Sequence, residues 1–190
     1  MSIPQAMKRA VKSLSPHSYY SLKYRQSSEG LRSPRGTRNR LFEEFLARCE
    51  GPCLQIAVKN EIGRKFGPNW ISVDKYDSHD YIDRHDDVQD LGFDDASFNA
   101  VVCWSVLEHV PNPQKAVSEL HRVLKPGGLV WVQLPFLFPY HFAPNDFWRV
   151  TPAGLRIWME KFEEVACACD YWAGTPLVAA TYFYGTKPAA

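Results

Sequence analysis

Apolar side chains in this sequence gather in short unalternating runs rather than in long stripes. CLQIAV (53–58), WISV (70–73) and AVVCW (100–104) are each too apolar to face water on one side, and each predicts a short strand buried on both faces. Asn112 and Pro113 then supply a side-chain cap and a proline at a first helical position. Ala116, Val117, Leu120, Val123 and Leu124 share one face of the helix that follows. Pro126-Gly127-Gly128 predicts its end. LVWVQL (129–134) is a fourth strand, so residues 100–134 make a strand, helix, strand unit whose crossover requires parallel pairing. Thr151-Pro152 predicts another helix through about Lys161, and two more strands are expected near FEEVACAC (162–169) and VAATYFYG (178–185). Strands and helices in this order imply an open α/β sheet with helices on both faces.

The 190 residues suit one domain large enough to bury most of its core. A net charge of +1 leaves no overall electrostatic commitment to nucleic acid or to a membrane surface. That balance conceals a basic segment. Between Met1 and Arg40 stand Lys8, Arg9, Lys12, Lys23, Arg25, Arg32, Arg35, Arg38 and Arg40 against one acid, Glu29. Met7, Ala10, Val11 and Leu14 recur there at helical spacing, ahead of SPHSYYS and RSPRGTR. Residues 1–40 are therefore set apart as an arm with a short amphipathic helix, and residues 41–190 as the domain. Three tasks stay open for the arm: packing on the domain, serving as a targeting presequence, or binding phosphates or RNA through Tyr19, Tyr20 and Tyr24.

No apolar run approaches the length of a membrane span, so the body is expected to be soluble and cytoplasmic. Cys49, Cys53, Cys103, Cys167 and Cys169 follow no zinc-ligand spacing, and reduced thiols are expected. His79 and His85 stand within DSHDYIDRHDD, which reads as a solvated acidic loop, and no metal site is expected.

An open sheet of this kind binds its ligand beyond the carboxyl ends of the strands, where the strand order reverses. The loops that matter are VKNEIG after the first strand, Asp74-Lys75-Tyr76 after the second, Ser105 to His109 after the third, and Pro135 to Arg149 after the fourth. Asp74 ends its strand with a carboxylate, which can accept two hydrogen bonds from a ribose diol. A strand-end aspartate can equally turn the chain.

The run DDVQDLGFDDASFNAVVCWSVLEHVPNPQKAVSELHRVLKPGGLVWVQLPF (86–136) resembles the central part of the small class I S-adenosylmethionine-dependent methyltransferases. There an acidic segment with a Leu-x-Phe precedes a strand, a Leu-Glu-His turn, a helix and Lys-Pro-Gly-Gly. PYHFAPNDFWRVTPAGL (139–155) is similar to a further signature of a bacterial type 11-like subgroup. The resemblance implies a Rossmann-like fold with a seven-stranded, mostly parallel sheet, a shortened first crossover helix, and S-adenosylmethionine as donor. It matches Asp74 to a ribose-binding acid, Asp87 and Val88 to an adenine-contacting segment, and Trp104 and Ser105 to the pocket floor. Glu108 and His109 match the turn beside the transferred methyl, with His109 and His141 as the candidate bases. Tyr140, Asp146, Trp148 and Arg149 fall on the acceptor side.

The first turn departs from the family's pattern, usually Leu-Asp-Ile-Gly-x-Gly. This chain reads Leu54-Gln55-Ile56-Ala57-Val58-Lys59 and then Glu61. Glycine suits such a turn because it takes positive φ and lets the donor approach the backbone, and at position 59 a long side chain would be the larger change. Lys59 could reach the donor's carboxylate, as Ala57 lies against it, or fill the site of a protein that has lost the donor. Two functions follow: methyl transfer to a small-molecule or sugar-containing acceptor, or a degenerate relative that acts as a binding or scaffolding partner. A nucleic-acid partner rests only on the basic arm and is not expected. Oligomeric state is not indicated.

Overall fold

The computed structural model describes residues 36–57, 65–142, 144–171 and 177–189. The first three apolar runs become β1 (Cys53–Ile56), β2 (Trp70–Val73) and β3 (Phe98–Trp104), with β1 paired in parallel to both others. All four residues of β1 are buried, as a strand covered on both faces requires. α2 (Pro113–Val123) is capped by the Asn112 side chain, which accepts from Lys115 N at 3.0 Å, and it buries Ala116, Val117, Leu120 and Val123 against the sheet. β4 (Leu124–Pro135) follows without a break and pairs in parallel with β3. Pro126-Gly127-Gly128 thus lies inside the strand rather than in a separate turn. Gly127 takes a φ of 76°, and its amide donates to the Lys187 carbonyl, which joins this corner to the end of the last strand.

α3 (Pro152–Trp158) is shorter than the expected helix and is capped by the Thr151 hydroxyl. β5 (Glu163–Tyr171) and β6 (Val178–Thr186) close the sheet, β6 running antiparallel to both β4 and β5. The order is β2-β1-β3-β4-β6-β5, an open mostly parallel sheet with a reversed last hairpin.

Six strands are present among the described residues where seven are expected. Beside β2, where a further strand would extend the sheet, Arg84 makes one parallel bridge to Val73. Aspartates at 77, 80, 83, 86, 87 and 90 leave this segment too few apolar side chains to cover a strand face. Asp83 also takes up the edge directly, its carboxylate accepting from Ser72 N at 2.8 Å and its amide donating to the Ser72 carbonyl at 2.9 Å.

The first crossover has no helix among the described residues, and the return at Lys65–Asn69 is tied to β1 by Gln55. Its amide oxygen accepts from Phe66 N at 3.0 Å, and its nitrogen reaches the Ser72 hydroxyl at 3.3 Å. The expected N-terminal helix near Met7 to Leu14 lies outside the described residues. A helix does form at the proposed arm boundary: α1 (Thr37–Ala47) straddles position 40. Phe42 and Phe45 of α1 pack on Trp131, with ring centroids 4.9 and 5.9 Å away. This places one apolar cluster on the α1 face of the sheet and a second beneath α2 and α3. No helix among the described residues is long and apolar enough to cross a membrane.

Arg122 and Glu119 on α2 clamp the segment that leads into β3. Arg122 donates to the carbonyls of Leu91 and Phe93, each at 2.7 Å, and forks onto Glu119, while Glu119 accepts from Leu91 N. The Arg122 fork, outweighing partial burial, holds Glu119 below the usual carboxylate range. Arg122→Ala is expected to cost about 2–3 kcal/mol in urea denaturation at neutral pH, because charge-assisted bonds to backbone are lost together. A carboxylate depressed in the fold stabilises above its unfolded pKa and stops doing so as pH falls through its folded value. The difference between Arg122→Ala and the parent should therefore narrow in acid. A difference that grew in acid would show that the clamp acts otherwise.

Candidate functional site

A cleft of about 1370 Å³ opens at the carboxyl ends of β1 to β4. Its walls come from the loops singled out above. Ala57 follows β1, Asp74 to Ser78 follow β2, Asp86 to Gln89 form the acidic wall, and Trp104 to Val106 follow β3. The opposite wall contains His109, Phe138, His141, Asn145 and Phe147.

Two non-glycine residues at the strand ends take left-handed backbone, Ala57 at φ 48° and Ser105 at φ 54°. Each is held by one bond to a neighbouring strand, Ala57 N to the Val73 carbonyl and Ser105 N to the Gln133 carbonyl, both 2.8 Å. Such backbone costs a β-carbon-bearing residue about 1–2 kcal/mol, and it sits against the cleft. Ala57, which stands where the family pattern has its first glycine, thus takes the left-handed conformation glycine favours; Lys59 and Glu61 lie outside the described residues.

Asp74 uses one carboxylate oxygen to turn the chain and keeps the other clear of that turn. Its Oδ1 accepts from Tyr76 N and Asp77 N, each at 2.7 Å, and so turns the chain, while Oδ2 has no hydrogen-bond partner among the described residues. Asp87 accepts from Gln89 N at 2.9 Å and from Lys75 Nζ at 2.8 Å. Partial burial would raise its pKa, but the bonds from Lys75 and Gln89 outweigh that and hold it below the ordinary value. Val88 beside it is buried in the core and reaches the cleft edge. Trp104 forms part of the floor. Phe42 of α1 meets it edge-on, the Arg38 guanidinium lies 5.6 Å from its ring centre, and its indole N–H donates to the Gln133 amide oxygen at 2.9 Å.

At the acceptor end, Leu107–His109 forms one 3-10 turn whose Glu108 carbonyl accepts from Phe147 N at 2.7 Å and Trp148 N at 3.3 Å. The loop after β4 is thereby pinned over the turn. The Glu108 carboxyl is 0% exposed, and neither oxygen has a hydrogen-bond partner among the described residues. Burial, against the weaker pulls of its own backbone amide and then of Arg149, pushes it up to about 8. His109 Nε2 lies 3.6 Å from Glu108 Oε1, and the His109 and His141 rings meet at 4.8 Å between centroids.

Asp146 is 1% exposed, and its pKa is pulled down to about 2, chiefly by Arg149, whose Nη2 donates to Oδ2 at 2.7 Å. Trp148 donates to the Val110 carbonyl at 2.9 Å and packs on Trp158. Asp146, Trp148 and Arg149, with Tyr140, border a separate depression of about 250 Å³ rather than the main cleft. Asp146, Trp148 and Arg149 brace the loop that carries His141, while Tyr140 stands exposed on it. His121 packs edge-on against Phe162, away from the cleft walls.

Arg38, Asn39, Gln89, Gln133, Asp170 and Tyr171 also line the cleft without having been singled out in the sequence. For Arg38 and Asn39 the available signal was the apolar spacing of Leu41, Phe42, Phe45 and Leu46, which marks a helix crossing position 40. Gln133 carried a signal too, as a polar residue inside an apolar strand.

Residues 55–132 match a family model described as a methyltransferase domain. A demethylmenaquinone methyltransferase of Staphylococcus epidermidis is 50% identical over 46 residues, which is 24% of this chain and 19% of that protein. A ubiquinone biosynthesis O-methyltransferase of Dechloromonas aromatica is 49% identical over 35 residues, 18% of this chain and 15% of that protein. The matched region spans about a fifth or less of the length of these relatives. A solved S-adenosylmethionine-dependent methyltransferase from Methanosarcina mazei superposes at a TM-score of 0.55 with 14% identity, covering 79% of this chain and 98% of that one. The SpnF cyclase superposes at 0.57 with 15% identity, covering 85% and 86%. At such identities the likeness is one of fold, and a cyclase among the neighbours illustrates that fold alone does not select the reaction.

Proposed function

Because this chain belongs to the class I S-adenosylmethionine-dependent methyltransferase family, we propose that its cleft binds S-adenosylmethionine and transfers the methyl group to a small-molecule or sugar-containing acceptor. The observation that carries this reading is the polarity of the cleft from end to end: two acids, Asp74 and Asp87, line one end and two imidazoles, His109 and His141, line the other, with Glu108 buried beside His109. A volume of about 1370 Å³ exceeds the ~300–1,000 Å³ usual for one ligand, leaving room for donor and acceptor together.

S-adenosylmethionine supplies, when bound, a methyl group already activated by its sulfonium sulfur. The chain's task is then alignment and proton management. Asp74 presents Oδ2 to the ribose hydroxyls, Asp87 and Val88 frame the adenine, and Trp104 and Ser105 form the floor. Ala57 offers the donor a β-carbon no larger than a methyl group beside the backbone, and Lys59 is assigned to the donor's carboxylate. Glu108 lies buried beside His109. His109 and His141 line the cleft and are assigned to take the acceptor's proton. Tyr140, Asp146, Trp148 and Arg149 are assigned to the acceptor side, where Asp146, Trp148 and Arg149 hold the loop. The five free thiols suit a reducing compartment, and the cytoplasm is the proposed location.

Calorimetric titration of the full chain with S-adenosylmethionine and with its demethylated product tests this. Saturable binding of both at micromolar affinity is expected. The absence of heat from a folded sample would favour the second reading, a methyltransferase-like binding partner whose altered first turn no longer takes the donor.

A further inference from the structure

The acceptor end of the cleft contains more than two candidate bases. Glu108, His109 and His141 each offer one ligand atom, and these atoms lie within 4.8 Å of one another. What surrounds them decides their chemistry. Nδ1 of His109 faces the Asn145 carbonyl, which can only accept, so Nδ1 carries the proton and Nε2 the lone pair. That Nε2 is the atom 3.6 Å from Glu108 Oε1. His141 repeats the arrangement. Its Nδ1 faces the Pro139 carbonyl at 3.2 Å and Asp146 Oδ2 at 3.3 Å, again acceptors only, which leaves Nε2 with its lone pair. Asp146 is in turn fixed by Arg149.

Two imidazoles oriented through their far nitrogens by a carbonyl or a carboxylate are the outer support that metal-binding histidines ordinarily have. The third group points the same way. Glu108 is fully buried and has no hydrogen-bond partner among the described residues, a state that is costly for a carboxyl unless something completes it. His109 Nε2 does not, since at 3.6 Å it stands beyond hydrogen-bond distance of the carboxyl.

We propose that Glu108, His109 and His141 form a binding site for one divalent transition-metal ion of the zinc or cobalt class, with an open coordination position facing the cleft. Two nitrogens and one oxygen suit such ions, whereas magnesium and calcium favour all-oxygen sets. Bonds of about 2.0–2.1 Å place tetrahedral ligand atoms roughly 3.3 Å apart, so the widest separation must close by about 1.5 Å. His141, carried on the loop after β4, supplies that movement through its side-chain torsions. This inference departs from the sequence expectation of no metal. The role it gives the ion rests on the reading of the cleft proposed above: an acceptor hydroxyl bound at the open position releases its proton to solvent water more readily, and His109 and His141 act as ligands instead of proton acceptors.

The full chain, stripped with a chelator and dialysed, is titrated with zinc by calorimetry and with cobalt by visible absorption. One ion per chain is expected, with nitrogen- and oxygen-ligated cobalt bands and no thiolate charge-transfer band. Glu108→Gln and His141→Ala should each weaken zinc at least about tenfold, and His121→Ala should not. Glu108→Gln alters a buried group, so its melting curve is recorded; His141→Ala, in a partly exposed loop, keeps the test decisive if that variant unfolds. Sub-stoichiometric uptake, binding untouched by either variant, or a thiolate band pointing to the cysteines would overturn the site. S-adenosylmethionine is titrated into the same samples. Donor binding without metal binding removes this inference alone, and metal binding without donor binding leaves the site standing while removing the methyl-transfer reading.

Discussion

Asp74→Asn is expected to weaken S-adenosylmethionine binding by about 10- to 100-fold while leaving the melting temperature close to that of the parent. The turn after β2 uses Oδ1, which accepts from Tyr76 N and Asp77 N, and asparagine keeps an oxygen there. The proposed ribose contact uses Oδ2, where asparagine places an amide donor opposite hydroxyls that need an acceptor. Hydrogen bonds to a charged group contribute about 1.5–3 kcal/mol, which is roughly one to two decades in affinity. Asp74→Ala removes both functions, so it should weaken binding at least as much and also loosen residues 74–77, which form part of the cleft wall. Calorimetry on the two variants, read beside their melting curves, separates the contributions. Parent-like affinity in Asp74→Asn would mean that the donor's ribose is not held by this carboxylate.

Trp131→Ala should lower stability by about 3–5 kcal/mol, enough to leave much of the protein unfolded at moderate temperature, given the 5–15 kcal/mol typical of folded proteins. Trp131 is 0% exposed on β4. It stacks on Tyr182 with centroids 5.4 Å apart and planes 3° from parallel, and it meets Phe42 and Phe45 of α1 on its other sides. Removing the indole opens a void between the sheet and α1, and α1 is what brings Arg38 and Asn39 to the cleft. Trp131→Phe should cost far less. The indole N–H is buried without a hydrogen-bond partner among the described residues, so phenylalanine sheds an unsatisfied donor as it gives up part of the ring. Urea denaturation of both variants checks the pair. Equal losses in Ala and Phe would mean that an indole contact, and not aromatic packing, holds α1 in place.

Much of the sheet was legible because strand burial and helix amphipathicity are local properties. CLQIAV, WISV, AVVCW and LVWVQL read as buried strands and became β1 to β4, and the Asn112-Pro113 cap opened α2 where expected. Boundaries were less legible. Pro126-Gly127-Gly128 marked the end of the helix but lies inside β4, where Gly127 pairs with Lys187, a residue sixty positions further on, and no local pattern reports that bond. α1 was passed over because its arginines match the basic segment before it; the spacing of Leu41, Phe42, Phe45 and Leu46 marks its apolar face, but that this face meets Trp131 and Tyr184 is decided only in the fold.

The sequence by itself determined the order of strands and helices, the position of Asp74 at the end of its strand, and the resemblance to a methyltransferase domain, since these depend on spacing along the chain. The tertiary structure decided what the acceptor end can do. Glu108 is adjacent to His109 in sequence, but its burial without a partner, its distance from His141 thirty-three residues away, and the capture of both outer imidazole nitrogens by acceptors arise only when the loop after β4 folds back over the turn after β3. It also decided that the aspartates after β2 close the sheet edge instead of extending it. Burial and proton position are set by neighbours in space, and the identity of those neighbours is not written at any one place along the chain.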